Sequence, residues 1–430
     1  VPVGGHPPAI DTLRSVRVVL FTGKGGVGKT TLAAATAALI AGSGRSALVV
    51  STDPAHSLGD ALGTDLGAEP TKVADHLWGA HIEARHLLEG AWGDLQDHLR
   101  TLLAGAGVDE LVADELTVLP GVEDLLALVE VQRFADSGEY DVVVVDCGPT
   151  AETLRLLTLP EALSGYLERL FPAHRRAVRG LVANLAGARN DGGGWDRTVA
   201  ALGALADQLT GLRELLADRT RTSIRLVLTP ERVVAAETRR TLTALALHEL
   251  RVDALMANRV MPGPPPSLRG PAARWLRERA TEQQAVLGEL SELGADVPVT
   301  VVRYTAAEPT GVESLRELAR SVYHDTDPAG APEDAPPRPL MELRRTSGHG
   351  VSTDTEFELD VALPGAQDAP LDLARVGDDM VVGIGFSRRV VSLPSVLRRC
   401  EATGARLEGS GAAARLVISF VPDPGTWMTS

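Results

Sequence analysis

From residue 16 to residue 326 the chain alternates short, unbroken apolar runs with longer stretches of helical periodicity. The runs Arg17–Phe21, Ala47–Ser51, Asp141–Asp146, Ile224–Thr229, Ala254–Asn258 and Val299–Arg303 predict strands buried on both faces. A strand with one wet face would alternate polar and apolar residues instead. Thr30–Ala41, Gly121–Ala135 and Thr238–Leu250 predict helices between them. Strands alternating with helices predict an α/β fold whose mainly parallel sheet is covered on both sides.

One block departs from the alternation. Between Pro160 and Thr222 no strand run occurs, while three stripes keep helical spacing: Leu163 to Phe171, Val178 to Leu185, and Trp195, Val199, Leu202, Leu209 and Leu212. They predict an inserted helical subdomain (about 160–222) whose stripes face either the sheet core or a binding surface. The NDGGG stretch at Asn190–Gly194 predicts a loop within it. At Asp327–Pro339 the composition shifts to Pro, Ala and acidic residues, which predicts a semi-rigid linker over 327–340. Beyond it, Phe357, Leu359, Val361 and Leu363 alternate with Glu358, Asp360 and Ala362, and Met380–Phe386 and Val390–Leu393 are further β-like runs. Residues 341–421 therefore read as a small all-β sandwich domain, with tails at 1–15 and 422–430.

Composition narrows the function classes. A net charge of −15 opposes a nucleic-acid-binding face, which needs a Lys/Arg surplus. Two cysteines, Cys147 and Cys400, build no disulfide framework and no CxxC metal pair. No apolar run approaches the roughly 20 residues that span a bilayer. The first residues lack the basic-then-apolar layout of a signal peptide. The expectation is a soluble, cytoplasmic protein with no stable membrane insertion and no nucleic-acid partner.

The chemistry concentrates at Gly23-Lys24-Gly25-Gly26-Val27-Gly28-Lys29-Thr30, followed by Thr31. A strand feeds this stretch and an Ala-rich helix leaves it, the context of a phosphate-binding loop. Backbone amides and the helix N-terminus cradle phosphate oxygens there. Lys29 is predicted to neutralise the β- and γ-phosphates of ATP and Thr30 to ligate Mg2+. Lys24 is one lysine more than the loop needs, and two lysines beside one triphosphate suggest that one serves a neighbouring subunit. Asp53 follows the second strand, where its carboxylate can hold an attacking water or the metal shell. Val142–Val145 ends in Asp146, a Walker B-type carboxylate for Mg2+, direct or through water. Cys147 reads as a small buried filler.

These motifs, with STDPAHSLGDALG, PGVEDLLAL, DCGPTAETLRLLTLPEAL, LTPERVVAAETRR and MANRV, resemble the ArsA/tail-anchored-protein-targeting family of ATPases over roughly residues 15–325. FELDVALPGAQDAPLDLARVGDDMVVGIGFSRRVVSLP resembles the small heat-shock-protein-like (α-crystallin) domain appended to some bacterial members. The resemblance implies a P-loop NTPase of the deviant Walker A class, working as a symmetric homodimer; a heterodimer with a paralogue stays open. It implies that Lys24 reaches across to the other subunit's nucleotide and that Asp53 polarises the water. It implies an adenine contact at Asn258 and a nucleotide contact at Glu231. The arsenite-binding cysteine cluster and the zinc-clamping CxxC of some members have no counterpart here. Neither zinc nor an iron–sulfur cluster is therefore expected. Ala151-Glu152-Thr153 replaces the common Gly-His-Thr, and Pro160–Thr222 contains no methionine. The expected output is nucleotide-driven capture and release of a hydrophobic client such as a membrane-protein segment. The alternative is the ATPase subunit of an anion (arsenite-type) efflux system. Partition ATPases share the deviant loop, but the acidic balance and β-type C-terminus speak against them.

Overall fold

The computed structural model describes residues 16–53, 57–82, 122–149, 207–293, 297–330, 340–348, 355–366, 370–385 and 387–427. Its main sheet contains β1 (Arg17–Gly23), β2 (Ala47–Ser51), β3 (Thr71–Ala74), β4 (Leu77–His81), β5 (Val142–Pro149), β6 (Thr222–Leu228), β7 (Val252–Val260) and β8 (Val299–Arg303). The spatial order is β3-β4-β2-β5-β1-β6-β7-β8. All neighbours are parallel except the edge strand β3, which runs against β4. The helices are α1 (Lys29–Gly42), α2 (Ser57–Leu62), α3 (Val122–Asp136), α4 (207–217), α5 (Arg232–Leu247), α6 (Pro271–Leu293) and α7 (Val312–Tyr323).

Successive strand residues point to opposite faces, and both faces here are apolar. Val19 and Phe21 of β1 pack with α1, α2 and α7, while Val18 and Leu20 pack with α3, α4, α5 and α6. Burial of every residue of β1, β2 and β6 accounts for their unbroken hydrophobic runs. Each fully buried Val, Leu or Phe stabilises the sheet by ~1.5–3 kcal/mol. All six expected strands form, as does the α/β, P-loop-type architecture. The β3–β4 pair is an addition: Leu77–His81 holds no β-branched residue and becomes a strand by pairing with β2.

Of the 160–222 block, residues up to 206 lie outside the described residues, as do the expected loop at Asn190–Gly194 and Ala151-Glu152-Thr153. Leu209 and Leu212, on α4, are fully buried in the sheet-facing core, so these two take the core alternative. The start of the Pro-rich stretch is also packed. Ala329 is 1% exposed, Arg225 Nη1 donates to the Pro328 carbonyl at 2.8 Å, and Arg45 pairs with Asp327. Asp327–Gly330 thus belongs to the ATPase body, and residues 331–339 lie outside the described ones.

The C-terminal region pairs a four-stranded sheet with a three-stranded one. The first runs β14 (Cys400–Glu408), β15 (Arg415–Pro422), β10 (Glu356–Ala362) and β9 (Met341–Ser347); the second runs β11 (Leu371–Val376), β12 (Asp379–Ile384) and β13 (Ser387–Ser392). Phe357, Leu359, Val361 and Leu363 are buried between them, as their alternation predicts. Asp360, expected to face out, is buried and paired with Arg344 and Arg415. This β unit seats on the C-terminal end of α5. Leu247 joins its core, Thr243 Oγ1 donates to the Pro364 carbonyl at 2.7 Å, and Arg389 Nη1 donates to the Leu247 carbonyl at 2.7 Å.

Candidate nucleotide site

β1 ends at Gly23, and the chain turns through Lys24-Gly25-Gly26-Val27-Gly28 before Lys29 opens α1. Two glycines are required by space. A Cβ on Gly23 would lie 2.1 Å from the Val227 carbonyl oxygen, and one on Gly28 2.3 Å from Asn258 Nδ2. Gly28 also holds φ +96°, which costs a side-chain-bearing residue. The first amides of α1 have no intrahelical partner, and together with the helix dipole they favour an anion. Lys29 is buried, its Nζ 3.5 Å from the Lys24 carbonyl, so its charge sits inside the loop. Thr30 and Thr31 follow on the first turn, both half-buried. Lys24 stands outside, half-exposed, with Nζ 3.8 Å from Glu237 of α5.

The acidic half of the site lies over β2 and β5. Their register pairs Ser51 with Asp146, so Ser51 Oγ donates to Asp146 Oδ2 at 3.2 Å. Asp146 is fully buried, and its Oδ1 has no hydrogen-bond partner among the described residues. Burial pushes its carboxyl up to about 6; the Thr30 hydroxyl, the Lys29 ammonium and Ser51 pull down, and the nearby Asp53 charge adds to the rise. Thr30 Oγ1 lies 3.2 Å from Ser57 Oγ. An orphaned carboxylate oxygen beside a threonine hydroxyl fits a hydrated Mg2+, which would restore the ionised form. Asp53 anchors its own amide on Ser51 Oγ at 3.2 Å. Cys147 is buried, and burial beside Asp146 pushes its thiol well above its usual range, so it is a filler and no nucleophile.

The residues that the resemblance assigns to adenine and nucleotide contact lie on the other side of β1. Asn258, on β7, donates from Nδ2 to the Val27 carbonyl at 2.8 Å and accepts from the Arg259 amide at 2.8 Å. Its amide is a strut for the loop. Glu231, the residue before α5, pairs with Arg279 of α6 at 2.8 Å. Glu231 lines a cleft of about 370 Å3 that opens beside Lys24–Val27, and Asn258 is joined to that cleft's wall through Val27. Sequence reasoning missed Ser51, Ser57, Glu237 and Arg279. Ser51 and Ser57 sit inside the STDPAHSL motif and Glu237 inside LTPERVVAAETRR, which were the available signals; Arg279 carried none, since its contact depends on packing between helices.

A glycine loop between a central parallel strand and its helix, with a buried carboxylate on the neighbouring strand, defines a P-loop NTPase. The sequence matches the ArsA ATPase family, described as anion-transporting ATPase, over residues 16–324, and the HSP20-like domain found in ArsA over residues 354–420. The chain belongs to the ArsA family of ATPases and carries that family's HSP20-like domain at its C-terminal side. Among its relatives, Protein Rv2184c of Mycobacterium tuberculosis is 38% identical over 97% of this chain and 99% of that protein. The protein named putative arsenical pump-driving ATPase in Chlorobaculum tepidum is 34% identical over 90% of this chain and 92% of its own length. An uncharacterized Streptomyces coelicolor protein, SCO2128, is 37% identical over 96% and 99%. Among the described residues no helix is long and apolar enough to cross a membrane.

Proposed function

We propose that the chain hydrolyses ATP with Mg2+ as a nucleotide-switched dimer, and that the cycle drives capture and release of a hydrophobic client such as a membrane-protein segment. The observation that carries the dimer is the division of labour between the lysines. Lys29 is buried within the loop, whereas Lys24 stands outside it, half-exposed, in an ion pair with Glu237 that it would exchange for a second subunit's nucleotide. Thr30 and Asp146 would hold Mg2+, which when bound neutralises charge on the β- and γ-phosphate oxygens. Lys29, and Lys24 acting across the dimer, stabilise charge that builds on the transferring phosphoryl group. Asp53 orients the attacking water.

The client reading draws on the HSP20-like domain and on α5, which runs from the loop at Glu231 and Glu237 to that domain at Leu247. A change at the nucleotide therefore has a rigid element through which to reach the β unit. Purified Lys24→Ala and Asp53→Asn proteins should keep the fold and lose hydrolysis; near-wild-type turnover in either would sink the assignment. ATP-trapped Asp53→Asn protein, co-purified and analysed by mass spectrometry, should carry hydrophobic polypeptide, and a clean preparation would count against the client.

An anion-efflux ATPase is the second reading, favoured by the family description and by relatives named for arsenical pumps. Cys147 and Cys400 are both buried, in separate hydrophobic clusters, which disfavours a shared thiolate site for arsenite. Stimulation of the ATPase by arsenite or antimonite would reinstate it.

A further inference from the structure

The cleft beside the loop has walls that the phosphate chemistry does not use. The groups suited to Mg2+ and the γ-phosphate, Asp53 and Asp146, follow or lie on β2 and β5, on one flank of β1. A triphosphate that crosses the loop with its terminal end on that flank directs its base to the other, over β6, β7 and β8. That is where the cleft of about 370 Å3 lies, with Thr229, Arg259 and Tyr304 following or ending these strands. The first turns of α6 close it with Trp275 and Arg279.

Trp275 is 58% exposed and Tyr304 53% exposed. Of the aromatic side chains whose burial is described, only these two are exposed, and both line this one cleft. The other aromatics whose burial is described are buried or packed against a core, so leaving two in water at the same place needs a reason. The two amide side chains nearby are already committed to backbone. Asn258 is tied to Val27 and Arg259, and Gln283 accepts from the Met261 amide at 2.8 Å while donating to the Arg259 carbonyl at 3.3 Å. Arg279 and Glu231 are paired with each other. The backbone bonds leave each amide one N–H and one lone pair for the edge of a base, so what the two exposed rings add is a surface for its face.

We propose that Trp275 and Tyr304 form the platform that holds the nucleobase by stacking. The inference rests on the nucleotide reading above and extends it to residues outside the loop motif. Every base offers a π-face, and such stacking is worth about tenfold or more in affinity when the aromatic is truncated. The base is held by its face, while the phosphates are held by the loop.

Equilibrium binding of MgATPγS and of inorganic tripolyphosphate, which has no base, separates the two halves. The full chain should bind both. Trp275→Ala and Tyr304→Ala should each weaken MgATPγS about tenfold or more and leave tripolyphosphate unchanged, with Trp275→Phe recovering most of the loss. Unchanged MgATPγS affinity in both alanine variants would overturn the platform while leaving the loop intact. Equal losses for both ligands would also overturn it, because they would mark a structural role. A wild-type chain that binds neither ligand, like Lys29→Ala, would remove the nucleotide reading itself and this inference with it.

Discussion

Asp146 is where the site stores its largest electrostatic cost. A carboxyl group held near 6 in the folded chain ionises near 4 once unfolded, so its ionisation at neutral pH works against folding. The sign follows from the raised value: the penalty is fully present above pH 6 and fades as pH falls from 6 toward 4. Asp146→Asn should therefore raise the nucleotide-free protein's melting temperature at pH 7.5, by an amount worth about 2–3 kcal/mol, and the gain should shrink at pH 5. Thermal melts across that range check it, and a lower melting temperature at pH 7.5 would contradict it. The same variant should lose Mg2+-dependent turnover, a trade of function for stability. Asp146 was legible because four valines lead into it. Ser51, which holds its carboxylate, was legible only as part of a motif, since the β2–β5 register joins residues 95 apart.

At the scale of elements, the loop and β7 are fitted to each other. Gly28 has its tight space because the Asn258 amide fills it, and Asn258 bonds the loop at Val27. Gly28→Ala combines a left-handed backbone with that clash, so it should destabilise the protein by about 2 kcal/mol or more and abolish nucleotide binding. Denaturant unfolding and a binding titration check both effects; an intact binding isotherm would show that the loop tolerates a Cβ. The strand starts and the loop were readable from local pattern, but the first turns of α5 were not. The helix begins at Arg232, ahead of the predicted Thr238, and Val234 and Ala235 already carry its buried face, which the apolar but exposed Val233 beside them obscures in the sequence. The β3–β4 pair was hidden for a related reason. β4 has no β-branched residue and becomes a strand beside β2, and the four residues of β3 then pair with β4.

For the whole molecule, α5 joins the nucleotide loop to the HSP20-like domain, and Arg389 fastens its far end. Arg389 donates to the Leu247 carbonyl at the helix C-terminus and pairs with Glu249 at 3.0 Å. A cation there is favoured by the helix dipole as well as by the hydrogen bond. Arg389→Ala should loosen the β unit by about 1–2 kcal/mol and raise protease cleavage between residues 331 and 339, with ATP binding retained. Unchanged cleavage would mean that Leu247 and the Thr243–Pro364 bond suffice. Two domains and their order were legible in the composition shift, but this docking was not, because it depends on carbonyls and turns that carry no sequence signature. The central claim concerns a second copy of the chain, with Lys24 completing a nucleotide site across the interface. Lys24→Ala and Lys29→Ala proteins, each inactive alone, can be mixed in equal amounts under conditions that exchange subunits. If Lys24 acts in trans, each mixed dimer contains one complete site, and the mixture should recover about a quarter of the wild-type ATPase rate. No recovery in a mixture shown to contain mixed dimers, or full activity of Lys24→Ala alone, would contradict the account.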